Sequence, residues 1–383
     1  MIYLDNSATT NHKPFMVKFE VFKSTTCKFC SNPHRAGNNL SNFLAEKILK
    51  TRENLCSFVN CESIDNVIFT SGCTEALNLA ILGTMKKGGH IITNSLEHNS
   101  CLRPLYNLKN KGIIDLTIIQ PEKDGSLNLD KIKNAVRDNT YLITLIHTSN
   151  VTGMTNDIKT MGKFCKERNI LYLVDCAQSA GHEKIDMQKN NIDFITIAGH
   201  KGFYALTGIG ALIVSNKAKK HLKPIKFGGT GTKSNSPIQP EDFPDGFESG
   251  TCNTSGILSL NAGLNFVRKN QEKINNKIAR LSKLLISELE KIKEIKIYKS
   301  NNINSGVISF NIENFASNEV SNFLSEKYNI CVRSGLHCAP LVHKHYGTLE
   351  NGMIRASISY FNTEREIKKL VFALKDFISL NKK

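Results

Sequence analysis

Two apolar runs are followed by residues that can do covalent chemistry on an aldehyde. Residues 194–198 come just before His200 and Lys201, and a segment rich in glycine follows. A lysine beside apolar strand ends has a lowered pKa, and its neutral amine can attack an aldehyde. Residues 170–175 end in Asp175, whose carboxylate can pair with a protonated pyridine nitrogen. For each residue alone, a solvated surface lysine and a turn aspartate are the alternatives.

Two other segments can bind a phosphate and a flat ring. Residues 69–76 (FTSGCTEA) have the pattern of a strand, then small residues, then a helix start. A helix N-terminus offers N–H donors and a positive dipole end to an anion, although a Thr or Ser helix cap is the alternative. His98 follows the run that ends at Asn94, and its imidazole can lie flat against a planar cofactor. Each feature is weak alone, and their order along the chain predicts one shared site.

An α/β domain has to position these residues. Between about residues 65 and 215, short apolar runs alternate with amphipathic segments such as 74–82, 129–137 and 157–167. Buried strands separated by helices indicate a mostly parallel sheet, and ligands bind beyond the carboxyl ends of its strands. The predicted strands are residues 66–70, 90–94, 116–120, 141–147, 170–175, 194–198 and 211–215.

The pattern changes after Thr254. Residues 255–295 have the apolar spacing of long helices, with Ile274, Ile278 and Leu281 among the buried positions. The elements predicted after them are a strand at 306–312, a helix at 319–327, a strand at 354–359 and a helix from 364 to about 380. This order predicts a second, smaller α+β domain.

Composition excludes some classes of protein. The chain has 50 Lys+Arg against 34 Asp+Glu, a net charge of +16, but the basic residues are scattered rather than interleaved with aromatics on one face. Nucleic acid is therefore not an expected partner, and a docking surface for an acidic partner is the alternative to a simple Lys and Asn bias. No apolar stretch approaches the roughly 20 residues of a membrane helix.

The cysteines predict a reducing compartment. The 11 Cys are dispersed, and Met1–Asp5 has neither the basic nor the apolar region of a signal peptide, so we expect reduced thiols and a cytoplasmic location. Cys27 and Cys30 have CxxC spacing, but no second CxxC or nearby His pair completes a zinc site. We therefore expect no metal.

Seven segments of the chain resemble the cysteine desulfurase branch of the class V aminotransferases, which are fold-type I enzymes of pyridoxal 5′-phosphate (PLP). The resemblance extends from residue 3 to about residue 363. It implies a large PLP-binding α/β domain at residues 15–254 and a small α+β domain at residues 1–14 plus 255–383. The segments are 3–10 (YLDNSATT), 71–75 (SGCTE), 97–99 (EHN), 174–178 (VDCAQ), 199–202 (GHKG), 247–251 (FESGT) and 332–340 (VRSGLHCAP).

The resemblance implies how PLP is held. Lys201 would bind it as a Schiff base, and Asp175 would pair with its pyridine nitrogen. The other cofactor residues would be Gln178 at the ring hydroxyl, His98 stacked on the ring, Cys73, Thr74 and His200 at the phosphate, and Thr251 from the partner subunit of a homodimer. Ala198 departs from the pattern, because the family often has a Ser or Thr there whose hydroxyl binds the phosphate. Without that hydroxyl, one hydrogen bond to the phosphate is missing. Cys73 stands where Ala, Gly or Thr is usual, and a thiol fits sterically.

The resemblance also implies the reaction. Asn150 would lie near the ring hydroxyl and the substrate carboxylate, and Arg355 would clamp that carboxylate with its bidentate fork. Cys338 would take sulfur from L-cysteine as a persulfide and leave L-alanine. Arg333 and His337 would favour its thiolate, although Arg333 pairing with an acid and His337 only shaping the loop are the alternatives.

The competing functions share the PLP core. A selenocysteine lyase uses the same scaffold, whereas an aminotransferase needs no thiol at Cys338 and consumes an oxo acid. A non-enzymatic scaffold would have lost Lys201 or Asp175, and both are present. The segment around Cys338 favours the SufS-like group, which passes its persulfide to a shuttle protein. Iron–sulfur cluster assembly, tRNA thiolation and other thio-cofactor pathways remain alternatives for the acceptor.

Overall fold

The structure is a computed structural model that describes residues 1–26, 29, 31–33, 38–298 and 300–381. The strands of these residues are β1 Ile2–Tyr3, β2 Val67–Thr70, β3 Gly89–Asn94, β4 Ile114–Ile119, β5 Thr140–Ile146, β6 Leu171–Asp175, β7 Phe194–Ala198, β8 Gly210–Val214, β9 Ile295–Tyr298, β10 Val307–Ile312, β11 Ile330–Cys331 and β12 Ile354–Ser357. The α-helices are α1 Phe15–Ser24, α2 Asn39–Val59, α3 Cys73–Gly83, α4 Asn99–Asn110, α5 Leu129–Asn134, α6 Ile158–Glu167, α7 Asn216–Lys219, α8 Thr254–Leu289, α9 Ser317–Tyr328, α10 Pro340–Tyr346 and α11 Glu364–Asn381.

Strands β2 to β8 form one sheet in the order β2-β8-β7-β6-β5-β3-β4. Its strands run parallel except β8, which is antiparallel to both of its neighbours. Alternate side chains enter two different core clusters: Leu173 packs in one, whereas Tyr172 and Val174 pack in the other. Because successive side chains point to opposite faces of a strand, both faces of this sheet are covered. The predicted α/β fold with a mostly parallel sheet is confirmed.

The predicted elements differ from the observed ones mainly at their ends. Each of the seven predicted strands corresponds to a strand of the main sheet. The helix predicted at 129–137 is shorter and ends at Asn134. The helices predicted between 255 and 295 are a single helix, α8, whose first turn is capped by the Asn253 side chain accepting from the Gly256 N–H.

The C-terminal part has its own sheet and core. Strands β12, β10 and β9 pair antiparallel in that order, and β1 pairs in parallel with β11. Leu4 therefore packs in the same core cluster as Phe310 and Ile354, which are more than 300 positions away in the sequence. This packing agrees with grouping the first residues with the C-terminal part, and the division at residues 14 and 254 stays a prediction.

The expectation of reduced thiols is wrong at one place. Cys56, near the end of α2, forms a disulfide with Cys61. The two cysteines are five positions apart. Asn60, which has φ 54°, turns the chain back at the end of α2 and brings Cys61 close to Cys56. Cys27 and Cys30 lie outside the described residues. Across the described part of the chain, no helix is long and apolar enough to cross a membrane.

Candidate active site

A cavity of about 240 Å³ lies at the carboxyl ends of strands β2, β6 and β7. The loops after parallel strands meet at this edge of the sheet, so residues far apart in sequence share its wall. Eight of the predicted site residues line it: Cys73, Thr74, His98, Asn150, Asp175, Gln178, His200 and Lys201.

Asp175 is the last residue of β6 and is 4% exposed. Its Oδ1 accepts a hydrogen bond from the Ala177 N–H at 2.8 Å and contacts the thiol of Cys73 at 3.4 Å. Both contacts fall on one oxygen, so Oδ2 is the oxygen left for a group in the cavity. Gln178, one turn later, donates from Nε2 to the Ser7 carbonyl at 3.0 Å, which fixes its amide at the cavity wall.

Lys201 reaches the cavity from the turn after β7. Burial lowers the pKa of its amine, and the positive charges of Arg355 and Arg333 act in the same direction. A side chain at the next residue, Gly202, would come within 1.9 Å of the Ala180 carbonyl, so only glycine allows the backbone to pass there. The lysine is therefore held on a tightly packed turn with its proton weakly bound.

His98 caps helix α4 and has a defined tautomer. The Ser100 N–H donates to its Nδ1 at 3.0 Å, so the neutral ring carries its proton on Nε2. Burial lowers its pKa to about 4, helped by the positive charge of Lys201. A neutral imidazole suits stacking on a flat ring, because no charge has to be desolvated when the ring covers it.

The side chains around the start of α3 form a partial anion site. Thr74 Oγ1 lies 2.7 Å from Ser100 Oγ. The N-cap of α3 is Gly72, so no side chain caps the first N–H groups of the helix. His200 Nδ1 is buried without a partner among the described residues, and burial lowers its pKa to about 4. Ala198 lines the same cavity with only a methyl group. An incoming phosphate would find N–H and O–H donors here but no hydroxyl at Ala198.

The thiol of Cys73 points away from the expected anion. Its sulfur lies 3.4 Å from Asp175 Oδ1 and 3.3 Å from Thr196 Oγ1. Burial raises the pKa of the thiol well above its usual value, and the charge of Asp175 raises it further. Only the backbone N–H of Cys73, in the first turn of α3, is placed to serve a phosphate. From the sequence, this thiol was expected only to fit sterically, and its contacts with Asp175 and Thr196 were not predicted.

The loop that carries Cys338 is anchored beside the cavity. The Asn99 N–H donates to the Cys338 carbonyl at 2.8 Å, and Asn150 Nδ2 donates to the His337 carbonyl at 2.7 Å. Cys338 itself is exposed and has φ 56°, and Arg333 Nη2 donates to its sulfur at 3.5 Å. The loop is thus fixed by its backbone while its thiol remains accessible.

His337 shapes this loop and does not reach the thiol. Its ring is buried, with Nδ1 at 3.3 Å from His343 Nε2 and Nε2 at 3.4 Å from the Arg333 carbonyl. Burial lowers its pKa to about 2, and the charge of Arg355 adds to this effect. A ring that stays neutral offers no cation to a thiolate, so the contact to Cys338 comes from Arg333.

Arg355 is 1% exposed and is held by groups from two other segments. Its Nη2 donates to Asp5 Oδ1 at 2.6 Å and its Nη1 donates to the Asn150 carbonyl at 2.8 Å. Its Nε is buried without a partner among the described residues. Burial lowers the pKa of the guanidinium and the charge of Asp5 opposes this. An unpaired donor on a fixed fork suits a carboxylate ligand.

Two residues at the site were given no role by the sequence analysis. Asp5 holds Arg355 across 350 positions of the sequence, and only its place in the segment 3–10 singled it out. Glu97 is fully buried beside His98, with Oε1 accepting from Asn94 Nδ2 at 3.2 Å and Oε2 unpaired within the described residues. No sequence pattern distinguishes this buried carboxyl from an exposed one.

Thr251 is not among the residues that line the main cavity. It lies in a neighbouring cavity of about 150 Å³, which shares Ser71 and Glu75 with the first. Its predicted role in a partner subunit stays a prediction.

Comparisons with known proteins place the chain in a family. The model of the family "Aminotransferase class-V" matches residues 2–370. A probable cysteine desulfurase of Methanothermobacter thermautotrophicus is 33% identical over 99% of this chain and 95% of its own length. A cysteine desulfurase of Wigglesworthia glossinidia brevipalpis is 31% identical over 98% of this chain and 92% of its own.

The fold agrees with these relatives. The solved structure of a cysteine desulfurase from Thermococcus onnurineus NA1 superposes with a TM-score of 0.91 at 29% identity, covering 99% of this chain and 94% of that one. The match covers the seven-stranded sheet, the two smaller sheets and the loops between them, and thus every segment that contributes to the cavity. The chain therefore belongs to the class V aminotransferase family and, within it, to the cysteine desulfurases.

Proposed function

We propose that this protein is a PLP-dependent cysteine desulfurase, which converts L-cysteine to L-alanine and keeps the sulfur as a persulfide on Cys338. The observation that carries the proposal is the placement of an accessible thiol, Cys338, on a loop beside the cavity of Lys201 and Asp175. The loop is bonded to Asn150 of the cavity wall and to Asn99, the neighbour of His98.

The residues of the cavity fit PLP. Asp175 Oδ2 is available to the pyridine nitrogen, and Lys201 is the amine that would bind the aldehyde. The unpartnered Nδ1 of buried His200, the Thr74 hydroxyl and the N–H groups at the start of α3 suit the phosphate. His98 is the aromatic side chain on the cavity wall that would cover the ring. When bound, PLP supplies an electron sink that stabilises negative charge on the Cα of an amino acid.

Arg355 would bind the carboxylate of the substrate. Its guanidinium is oriented by Asp5 and by the Asn150 carbonyl, and its Nε–H has no competing partner in the described structure. Asn150 belongs to the same wall, so the carboxylate end of the substrate is held beside the loop of Cys338. The fixed Nε–H limits where the carboxylate can lie, which helps to align the side-chain sulfur of the substrate.

Lys201 would move the Cα proton. Burial lowers the pKa of its amine, so Lys201 releases its proton more readily than an ordinary lysine, and its neutral form would accept the Cα proton. The same amine, once protonated, can return the proton to the substrate. His98 stays neutral in this environment, with its proton on Nε2, and contributes orientation rather than charge.

Cys338 would take the sulfur. Its thiolate attacks the sulfur of bound L-cysteine, so that an S–S bond forms, the Cβ–S bond breaks, and Cβ takes up a proton to become the methyl group of alanine. Arg333, at 3.5 Å from the sulfur, stabilises the negative charge on the attacking atom. The persulfide would then pass to an acceptor protein, as the exposed position of Cys338 permits.

A homodimer and a cytoplasmic location also belong to this proposal. Thr251 is exposed and lies off the main cavity, which agrees with a role for this residue in a neighbouring subunit. The oligomeric state can be measured by light scattering, and a monomer with full activity would contradict the shared site.

The direct test is incubation of the PLP-loaded protein with L-cysteine, measuring alanine and sulfide with and without a reductant. We expect alanine in both cases and free sulfide mainly with the reductant, which cleaves the persulfide. L-Selenocysteine serves as the second substrate, and faster turnover of it than of L-cysteine would favour a selenocysteine lyase. Alanine formed only in the presence of an oxo acid would indicate an aminotransferase.

A further inference from the structure

Cys73 occupies an unusual position for a thiol, because it lies on the cavity wall against the carboxylate that faces the cofactor. The sulfur is within hydrogen-bonding distance of two groups, Asp175 Oδ1 at 3.4 Å and Thr196 Oγ1 at 3.3 Å. These residues come from three different segments, the start of α3 and the strands β6 and β7. The contact is therefore a product of the tertiary fold.

The direction of these hydrogen bonds follows from the proton inventory. A thiol carries one proton, and an ionised carboxylate can only accept. The charged carboxylate is the stronger acceptor, so the single S–H donates to Asp175 Oδ1, and the Thr196 hydroxyl, 3.3 Å from the sulfur, is the competing acceptor. Burial raises the pKa of the Cys73 thiol well above its usual value, so the proton stays on the sulfur at physiological pH.

The carboxylate of Asp175 is thereby oriented from two sides. The Ala177 N–H, at 2.8 Å, and the Cys73 thiol both act on Oδ1. Two donors on one oxygen fix the rotation of the carboxylate about its Cβ–Cγ bond, and Oδ2 is left for a ligand of the cavity that Asp175 lines. We propose that Cys73 is a positioning residue for Asp175, whose thiol sets the orientation of the carboxylate that binds the pyridine nitrogen of PLP. The inference rests on the proposed function.

In this role the Cys73 thiol does more than fit sterically, because it donates a hydrogen bond to Asp175 Oδ1. An alanine at this position has no donor for Oδ1, whereas a serine hydroxyl keeps a donor of similar reach. The order of effects is therefore predicted: Cys73→Ala disturbs PLP binding, and Cys73→Ser largely preserves it. Cys101→Ala is the control, because Cys101 is a buried cysteine whose thiol lies 3.5 Å from a hydroxyl, Thr144 Oγ1, and it does not line the cavity.

Binding of PLP and the pH dependence of its visible absorbance are the readouts. We expect Cys73→Ala to weaken PLP binding by roughly threefold to tenfold, the loss of one hydrogen bond from a thiol, which is a weak donor. We also expect the pH at which the absorbance of bound PLP changes to shift in this variant. Cys73→Ser and Cys101→Ala should remain within about twofold of the wild type in affinity.

The outcomes separate this inference from the proposed function. Wild-type protein that fails to bind PLP would contradict the proposed function itself. Wild-type affinity and an unshifted pH profile in Cys73→Ala would overturn the positioning role while leaving the cofactor assignment intact. If Cys73→Ala does not fold, Thr196→Val decides, because it removes the competing acceptor and leaves the S–H to Asp175 alone. The role predicts a smaller shift of the opposite sign, and no shift overturns it.

Discussion

The guanidinium of Arg333 lies 3.5 Å from the sulfur of Cys338, with only the four residues of one tight loop between them. The loop is held at its backbone by Asn99 and Asn150, so this distance is set by the fold around it. A guanidinium is a permanent cation in proteins, and that of Arg333 contacts the Cys338 thiol. His337, the other candidate, is turned into the protein.

Removing Arg333 should slow the sulfur-transfer step and leave cofactor binding intact. We expect Arg333→Ala to lower kcat for alanine formation by about tenfold, less than for a buried transition-state donor, because the contact is exposed to solvent. PLP content, read from visible absorbance, should match the wild type. Arg365→Ala, on the exposed face of α11, is the control. Equal kcat in the Arg333 variant and its control would remove Arg333 from the chemistry.

Arg355 should determine affinity for the substrate carboxylate. Arg355→Lys retains the charge but loses the planar fork that Asp5 and the Asn150 carbonyl orient. We expect KM for L-cysteine to rise by at least about tenfold, with a smaller change in kcat. Steady-state kinetics of alanine formation measures both. A KM within twofold of the wild type would show that another group binds the carboxylate.

Glu97 should make the stability of the fold depend on pH. Burial raises its pKa from the ordinary value of 4.5 to about 8, and the charge of Asp175 contributes to this increase. Between these two values the unfolded chain has released a proton that the folded chain keeps. The contribution of Glu97 is therefore complete below pH 4.5, declines by roughly 1.4 kcal/mol per pH unit, and is lost above about pH 8.

Urea unfolding at two pH values measures this effect. Glu97→Gln has no proton to lose, so it should gain stability relative to the wild type by a few kcal/mol between pH 5.5 and pH 8.5. Other buried groups, such as His200, titrate equally in both proteins and cancel in the difference. A constant difference at both pH values would mean that Glu97 is ionised in the folded state.

The buried ion pair between Arg52 and Glu248 should stabilise the packing of the segment before Thr251 on helix α2 and strand β2. Glu248 Oε1 accepts from Arg52 Nη1 at 2.8 Å and from the Phe69 N–H, which joins the segment before Thr251 to strand β2. Breaking a buried pair leaves an uncompensated charge, so Glu248→Ala should cost about 3–5 kcal/mol of unfolding free energy. The exposed pair of Glu241 with Lys223 is the control, and Glu241→Ala should cost less than about 1 kcal/mol. Similar losses in both variants would contradict this difference.

The strands could be predicted because burial on both faces leaves a readable signal. In β6, β7 and β8 every side chain is buried, so each appears in the sequence as an apolar run. The residues after those strands could be placed together because parallel strands end at one edge. Helix ends were less accurate, as α5 shows, since turn residues continue its apolar spacing.

The contacts that could not be predicted join distant segments. Cys73 and Asp175 are 102 positions apart and Asp5 and Arg355 are 350 apart, and no local pattern links either pair. The direction of the His337 ring depends on packing against His343, which sequence spacing leaves open. The Cys56–Cys61 disulfide was missed because dispersed cysteines without an export signal favour free thiols.

The central claim is that Cys338 receives the sulfur of L-cysteine. The most direct measurement is mass spectrometry of the PLP-loaded protein after L-cysteine and rapid acid quench, on the tryptic peptide of residues 334–344, which contains Cys338. We expect a gain of one sulfur atom on this peptide in the wild type. In Cys338→Ser we expect no gain and no alanine, while PLP and L-cysteine still bind. Undiminished alanine formation by Cys338→Ser, or the sulfur found on another cysteine, would exclude Cys338 as the sulfur acceptor.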